Sequence, residues 1–86
     1  MARFEQQESQ LMAQAGAADT LYHLGMMYCI GREVEMDLVT AHKWFNLAAL
    51  RGNEDAKQVR TEISFEMTTQ EIAEAQRQAR GWLQLH

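Results

Sequence analysis

Apolar residues recur along the chain at the three- to four-residue spacing that is typical of one face of an α-helix. This spacing predicts helical segments at about 3–15, 18–30, 37–50, 54–65 and 69–85. Gly16, Gly31 and Gly52 follow three of these segments, as glycine commonly does where a helix ends. Proline is absent, so the chain has little of the turn chemistry that β-hairpins need. We therefore predict an all-α protein.

Side chains that cap helices support these boundaries. Asp37 is placed to accept hydrogen bonds from the free amides in the first turn of its helix. Thr68 and Glu71 form the T-x-x-E pattern of a capping box at the start of the last helix. Gly81 lies inside that last helix, where glycine costs about 1 kcal/mol relative to alanine, so we expect its end to be weak.

A faint internal repeat supports a modular arrangement of these helices. Gly16 and Gly52 are 36 positions apart, and the stretches that follow them align with Asp19 over Asp55. A period of this length is typical of two-helix solenoid units. We therefore predict a short α/α helical-repeat (solenoid-like) array of about four to five antiparallel helices, in a single domain that covers residues 1–86.

Composition and charge weigh against several classes of partner. Twelve acidic residues face eight scattered basic ones, for a net charge of −4, so we expect no nucleic-acid binding. No run reaches the roughly 18 apolar residues that a membrane-spanning helix needs, and we expect no membrane association. Cys29 is the only cysteine, and the first residues do not resemble a signal peptide. We therefore expect a cytoplasmic protein.

No group of residues forms a recognisable catalytic or metal-binding pattern. The histidines are His23, His42 and His86, and none has a second ligand or a base at a suitable helical spacing. His23 and Cys29 are six residues apart on one predicted helix, so they point to different faces. We predict that the protein is not an enzyme and that it needs no cofactor or metal.

A set of residues between positions 24 and 56 resembles the Sel-1-like repeat family, a branch of the tetratricopeptide-like helical repeats. The family pattern runs from Leu-Gly through Tyr, Gly, Val and Asp to Ala, Trp-Phe, Ala-Ala and Gly. The matching residues here are Leu24, Gly25, Tyr28, Gly31, Val34, Asp37, Ala41, Trp44, Phe45, Ala48, Ala49, Gly52 and Ala56. A departure is Glu33, which occupies the second loop glycine of the family and predicts a different loop path.

The resemblance implies one full helical hairpin at 17–52, preceded by a half-unit at 1–16. It also implies a divergent pair of capping helices at 53–86. Gly25, Ala41 and Ala48 are small, so the two helices of the hairpin can approach closely. Larger aromatic side chains are then expected to fill the space around that contact.

The resemblance also implies where a partner binds. In tetratricopeptide-like hairpins the first helix lines the ligand-facing side. By register, the partner-binding residues are Asp19, Tyr22, Met26, Cys29 and Ile30, followed by Asp55, Gln58, Glu62 and Phe65 in the next unit. An apolar strip edged by carboxylates suits a peptide or amphipathic helix that carries a few basic residues. We therefore predict a protein–protein interaction or adaptor module.

Two alternatives remain open at this point. Met26, Cys29 and Ile30 are either groove-lining residues or are buried by neighbouring helices, because the helix that carries them is apolar nearly all round. Trp82 and Leu83 either cap the last hairpin or form a homodimer contact. The alternative function is an accessory structural subunit, docked in a larger assembly or in a homodimer.

Overall fold

The computed structural model describes residues 18–85, and these residues form four α-helices and no strand. Helix α1 is Ala18–Ile30, α2 is Leu38–Leu50, α3 is Glu54–Ser64 and α4 is Thr69–Leu85. The all-α prediction is confirmed. The predicted boundaries agree except that α2 begins one residue later, with Asp37 as its N-cap, and α3 ends one residue earlier, with Phe65 as its C-cap. The predicted helix at 3–15 and the half-unit at 1–16 lie outside the described residues.

The predicted caps form at the starts of α2 and α4. Oδ1 of Asp37 accepts a hydrogen bond from the Thr40 amide at 3.1 Å. Before α4, the Thr68 amide donates to Glu71 Oε1 at 2.8 Å, and the Glu71 amide donates to Thr68 Oγ1 at 3.0 Å. These bonds satisfy amides that have no partner inside the helix, so local sequence alone defines both starts.

Three of the residues between 18 and 85 take the left-handed backbone conformation. Gly31 ends α1 at φ 74°, and Gly52 follows α2 at φ 104°. Glu33, in the loop between α1 and α2, has φ 67°. Glutamate therefore adopts, at the position where the family resemblance places a glycine, a conformation that is strained for a residue with a Cβ.

Helix α2 is the centre of the fold, because it packs extensively against α1, α3 and α4 while no two of these three helices pack extensively on each other. It carries six buried residues, more than any other helix. The buried apolar residues of the described chain are Leu21, Leu24, Ala41, Trp44, Phe45, Leu47, Ala48, Ala56, Ile63, Ala75 and Ala79.

Helices α1 and α2 form a closely packed antiparallel hairpin. The Asp37 amide, before α2, donates to the carbonyl of Tyr28, near the end of α1, at 3.0 Å. At the middle of the hairpin, the Phe45 ring lies against the backbone of Gly25. A Cβ at that glycine would be 2.5 Å from ring carbons of Phe45, which is closer than side chains can pack. Gly25 is therefore required by packing and not by backbone conformation.

Helices α3 and α4 attach to other faces of α2. His42 Nε2 lies 3.2 Å from Ser64 Oγ, and Arg60 Nη1 donates to Asn46 Oδ1 at 2.6 Å. These two contacts show that α3 is antiparallel to α2, because the later position on α2 pairs with the earlier position on α3. On the α4 side, the rings of Trp44 and Trp82 meet edge to face with centroids 6.0 Å apart.

Candidate functional site

Helices α1 and α3 lie side by side on α2, and a hydrogen bond links them at one end. At the first end, Asn53 Nδ2, which caps α3, donates to Asp19 Oδ1 at 3.0 Å. At the other end, Glu66 lies near Cys29, and its charge acts on the thiol. Between these points the two helices do not pack extensively on each other. We call the resulting surface the α1–α3 groove. It is defined by Asp19, Tyr22, Met26, Cys29, Asp55, Gln58, Val59, Glu62 and Glu66, and Ile30, the last residue of α1, forms its rim.

The α1 wall of the groove is apolar. Tyr22, Met26 and Cys29 are partly buried and pack against the core. The Tyr22 ring lies 5.7 Å from the Phe45 ring, centroid to centroid, which holds it at the edge of the core. Each of these three side chains is therefore anchored on the core and keeps part of its surface accessible, so Met26 and Cys29 are neither fully buried nor fully exposed. Ile30 is different, since 59% of it is exposed.

The α3 wall is polar at its rim. Asp55, Gln58 and Glu62 are exposed, whereas Val59 is partly buried against the core. Asp55, Val59 and Glu62 share one face of α3, because they are four and then three residues apart. Phe65 follows the helix and is 85% exposed, so it stands out from the wall and is not part of its packed surface.

Burial and charge raise the pKa of the Cys29 thiol above its usual value. Burial is the larger cause, and the negative charge of Glu66 adds to it. Since the thiolate is the nucleophilic and metal-binding form of cysteine, a raised pKa makes this thiol less reactive at neutral pH. Cys29 therefore contributes an apolar surface to the groove.

An open pocket of about 250 Å³ adjoins the groove on the outer side of α1. Met26 and Ile30 belong to both surfaces. The pocket is lined by His23, Met26, Met27, Ile30, Arg32 and Glu33. Sequence reasoning assigned Met26 and Ile30 to the site. It did not assign His23 and Met27 on α1, or Arg32 and Glu33, which follow α1 in the loop. For Arg32 and Glu33, the only signal in the sequence was the glutamate at a position where the family pattern has glycine. The backbone conformation of this turn determines which side chains lie beside the end of α1.

The carboxylates of the groove have no ion-pair partner within residues 18–85. The ion pairs found in this part of the chain join Lys57 to Glu54 and Arg77 to Glu74. Asp55, Glu62 and Glu66 take part in neither. The apolar strip on α1 therefore faces a row of negative charges that the described residues leave uncompensated.

A histidine and a serine meet beside the groove, but their hydrogen bonds are structural. Ser64 Oγ donates its one proton to the Arg60 carbonyl at 2.7 Å. His42 must then donate from Nε2 to the same oxygen, so its Nε2 is protonated and cannot accept the serine proton. Burial, followed by the nearby Arg60 charge, lowers the pKa of His42, and the buried ring is therefore neutral at pH 7.

Metal binding and membrane spanning are the two remaining features of the described chain. No group of three or more His, Cys, Asp or Glu side chains among residues 18–85 is arranged to hold a metal ion. None of α1 to α4 is long and apolar enough to cross a membrane.

Comparison with known proteins adds no relative. The chain matches no family model, and no curated protein or solved structure is similar enough to count as a match. The resemblance to Sel-1-like repeats consequently stays a prediction that depends on the residues between positions 24 and 56.

Proposed function

We propose that this chain is a non-catalytic protein–protein interaction module, built on a Sel-1-like helical hairpin, that binds a protein partner through the α1–α3 groove. The observation that carries the proposal is the pairing of a partly exposed apolar strip on α1 with carboxylates on α3 that form no ion pair within residues 18–85. The partner is a peptide or an amphipathic helix. The module needs no cofactor, and its place of action is the cytoplasm.

Each half of the groove supports a different part of this proposal. Tyr22, Met26 and Cys29 already pack on the core, so a partner can cover their remaining surface without rearrangement of the helices. Methionine suits such a surface because its flexible thioether adapts to different apolar side chains. Asp55 and Glu62 attract basic groups, which steers association and excludes acidic partners.

The test begins with co-purification of a tagged full-length chain from its native host, followed by mass spectrometry. The purified partner is then titrated calorimetrically against the wild type and the Ile30→Glu and Met26→Glu variants. Ile30 is 59% exposed, so Ile30→Glu is expected to leave the fold intact while weakening binding at least tenfold, about 1.4 kcal/mol. Leu85→Glu is the matched control, because Leu85 is 82% exposed at the far end of α4.

Three outcomes of this experiment have distinct meanings. Loss of binding in Ile30→Glu with unchanged binding in Leu85→Glu supports the groove. Equal affinities in all variants contradict it. A sharp loss of stability in Met26→Glu would assign that residue to the core, and Ile30→Glu would then carry the test.

A second candidate function is a structural subunit, docked permanently in an assembly or in a homodimer. It is supported by apolar side chains at the end of α4, where Leu85 is 82% exposed and Leu83 is 39% exposed. Size-exclusion chromatography with light scattering separates the two functions. A dimer that dissociates in Leu85→Glu and Leu83→Glu would favour the structural role, whereas a monomer argues against self-association.

A further inference from the structure

We propose that the α1–α3 groove selects a basic amphipathic helix of about three turns, with two basic side chains seven residues apart, over an extended peptide. This inference rests on the proposed function and specifies the chemistry and conformation of its ligand. It follows from the chemistry of the groove walls and from the spacing of the carboxylates on α3.

The walls of the groove favour a ligand whose backbone hydrogen bonds are made within the ligand itself. Both walls are α-helices whose internal backbone groups are already hydrogen-bonded to each other. Among the nine residues that define the groove, only Gln58 carries a carboxamide that can both donate to and accept from a peptide backbone. An extended peptide on Tyr22, Met26 and Cys29 would leave amides and carbonyls desolvated without partners. A helix avoids this cost because its backbone bonds are internal.

The length of the groove sets the length of the ligand. Helix α3 has 11 residues, which at a rise of about 1.5 Å per residue is roughly 16 Å, or three turns. A helix of this length that lies along the groove covers the apolar strip of α1 from Tyr22 to Cys29. Its apolar face meets α1, and its basic edge meets α3.

The carboxylates set the spacing of the basic residues. Asp55 and Glu62 are seven residues apart on one face of α3, about 10 Å along the axis. On a ligand helix aligned with α3, the same distance separates residues i and i+7, which also share one face. On an extended peptide in the polyproline II conformation, which repeats every three residues, roughly the same distance separates residues i and i+3, at about 3.1 Å per residue. The optimal spacing therefore reports the conformation of the ligand.

Three synthetic peptides of about 14 residues test this directly. They share one composition of alanine, leucine and glutamine with two lysines, and differ only in whether the lysines are spaced i,i+7, i,i+5 or i,i+3. Binding to the full chain is measured by fluorescence anisotropy at low and at high salt. We expect the i,i+7 peptide to bind best, roughly tenfold more tightly than the i,i+5 peptide, with the difference reduced by salt.

A pair of adjacent variants gives a matched control. Glu54 and Asp55 both lie in the first turn of α3, but Glu54 pairs with Lys57 and is not part of the groove. Asp55→Lys and Glu54→Lys change the net charge equally and remove the same favourable interaction with the helix dipole. We expect roughly tenfold weaker peptide binding in Asp55→Lys and less than about twofold in Glu54→Lys. Replacing the facing lysine of the peptide by glutamate should restore binding to Asp55→Lys.

Several results would overturn the inference. A preference for i,i+3 would indicate an extended ligand, and equal affinities for the three peptides would indicate that the carboxylates do not set the spacing. Dimerisation of the chain that Asp55→Lys abolishes would identify a second copy as the occupant. If such results are obtained while Ile30→Glu still weakens binding of the native partner, only this inference is wrong. If Ile30→Glu leaves binding of the native partner unchanged, the proposed function itself is wrong.

Discussion

The α1–α2 hairpin and the two helices that follow it are held together in different ways. In the hairpin, a ring lies directly on the backbone of the facing helix at Gly25, and six residues of α2 are buried. Helices α3 and α4 contribute two buried residues each, and three of those four are alanines. The C-terminal helices reach α2 through these few buried side chains, two polar contacts and one pair of tryptophan rings.

This difference indicates how each region responds to change. A contact made by close fit cannot accept even one additional carbon, because protein interiors have no space to absorb it. Contacts at half-buried side chains can loosen one at a time. We therefore expect mutations in the hairpin to unfold the whole chain and mutations in α4 to release that helix first. Substitutions in each region test this expectation.

The largest effect is expected from Gly25→Ala. The added Cβ would meet Phe45 ring carbons at 2.5 Å, so the helices must separate or the ring must leave its position. We expect a loss of about 3 kcal/mol in the free energy of unfolding, measured by urea denaturation with circular dichroism. Gly81→Ala is the matched control: nothing lies within 4 Å of a Cβ there, and about 1 kcal/mol of stabilisation is expected in α4.

A second substitution tells whether the effect of Gly25→Ala arises from this contact. Phe45→Leu removes the ring atoms that the new Cβ would strike. The two substitutions together should therefore cost less than the sum of their separate effects. Strict additivity would contradict the close-fit description of the hairpin.

Trp82→Ala should have the next largest effect. It removes the ring that meets Trp44 edge to face and is expected to cost about 2 kcal/mol. Hydrogen exchange should show loss of protection in α4 while amides of the α1–α2 hairpin stay protected. Simultaneous loss in both regions would mean that the chain is a single cooperative unit, and the contrast between the two regions would then not extend to stability.

Glu33→Gly should stabilise the hairpin. Glu33 has φ 67°, which costs a residue with a Cβ about 1 kcal/mol or more, whereas glycine adopts it freely. Glycine also gains entropy in the unfolded chain, so the net gain is about 1 kcal/mol or less. Thermal denaturation measures it, and Glu35→Gly, at an exposed position of the same loop, provides the comparison. A melting temperature that falls in Glu33→Gly would show that the glutamate side chain has a stabilising contact.

The smallest effect is a gradual dependence on pH from His42. Its ordinary pKa is 6.5, and burial together with the Arg60 charge lowers it in the folded chain. Below pH 6.5 the unfolded chain therefore binds a proton that the folded chain resists, and stability falls as pH drops from 6.5 toward the lowered value. His42→Gln keeps a donor toward Ser64 but cannot titrate. Between pH 7 and about pH 5.5, His42→Gln should flatten the dependence of the free energy of unfolding on pH, whereas a glutamine at the exposed His23 should not.

Much of the fold and part of the site could be predicted from local sequence. Asp37, Thr68 and Glu71 define helix starts because their hydrogen bonds span only three residues, and such bonds are visible in the sequence. The apolar spacing of α1 likewise places Tyr22, Met26 and Cys29 on one side of the helix. Which of these side chains stays accessible was not predictable, because accessibility depends on the distance between α1 and α3.

Local sequence was enough to predict the four helices of residues 18–85 and the small residue at the centre of the hairpin, because these depend on hydrogen bonds and side-chain sizes within short stretches. It did not show that α2 is shared by the three other helices, or that α1 and α3 are linked at one end and do not pack extensively on each other. Nor did it show that Asp55 and Glu62 form no ion pair within residues 18–85. These features arise from packing between residues far apart in the chain, such as Asp19 and Asn53, which are 34 positions apart, and no local pattern encodes such a contact.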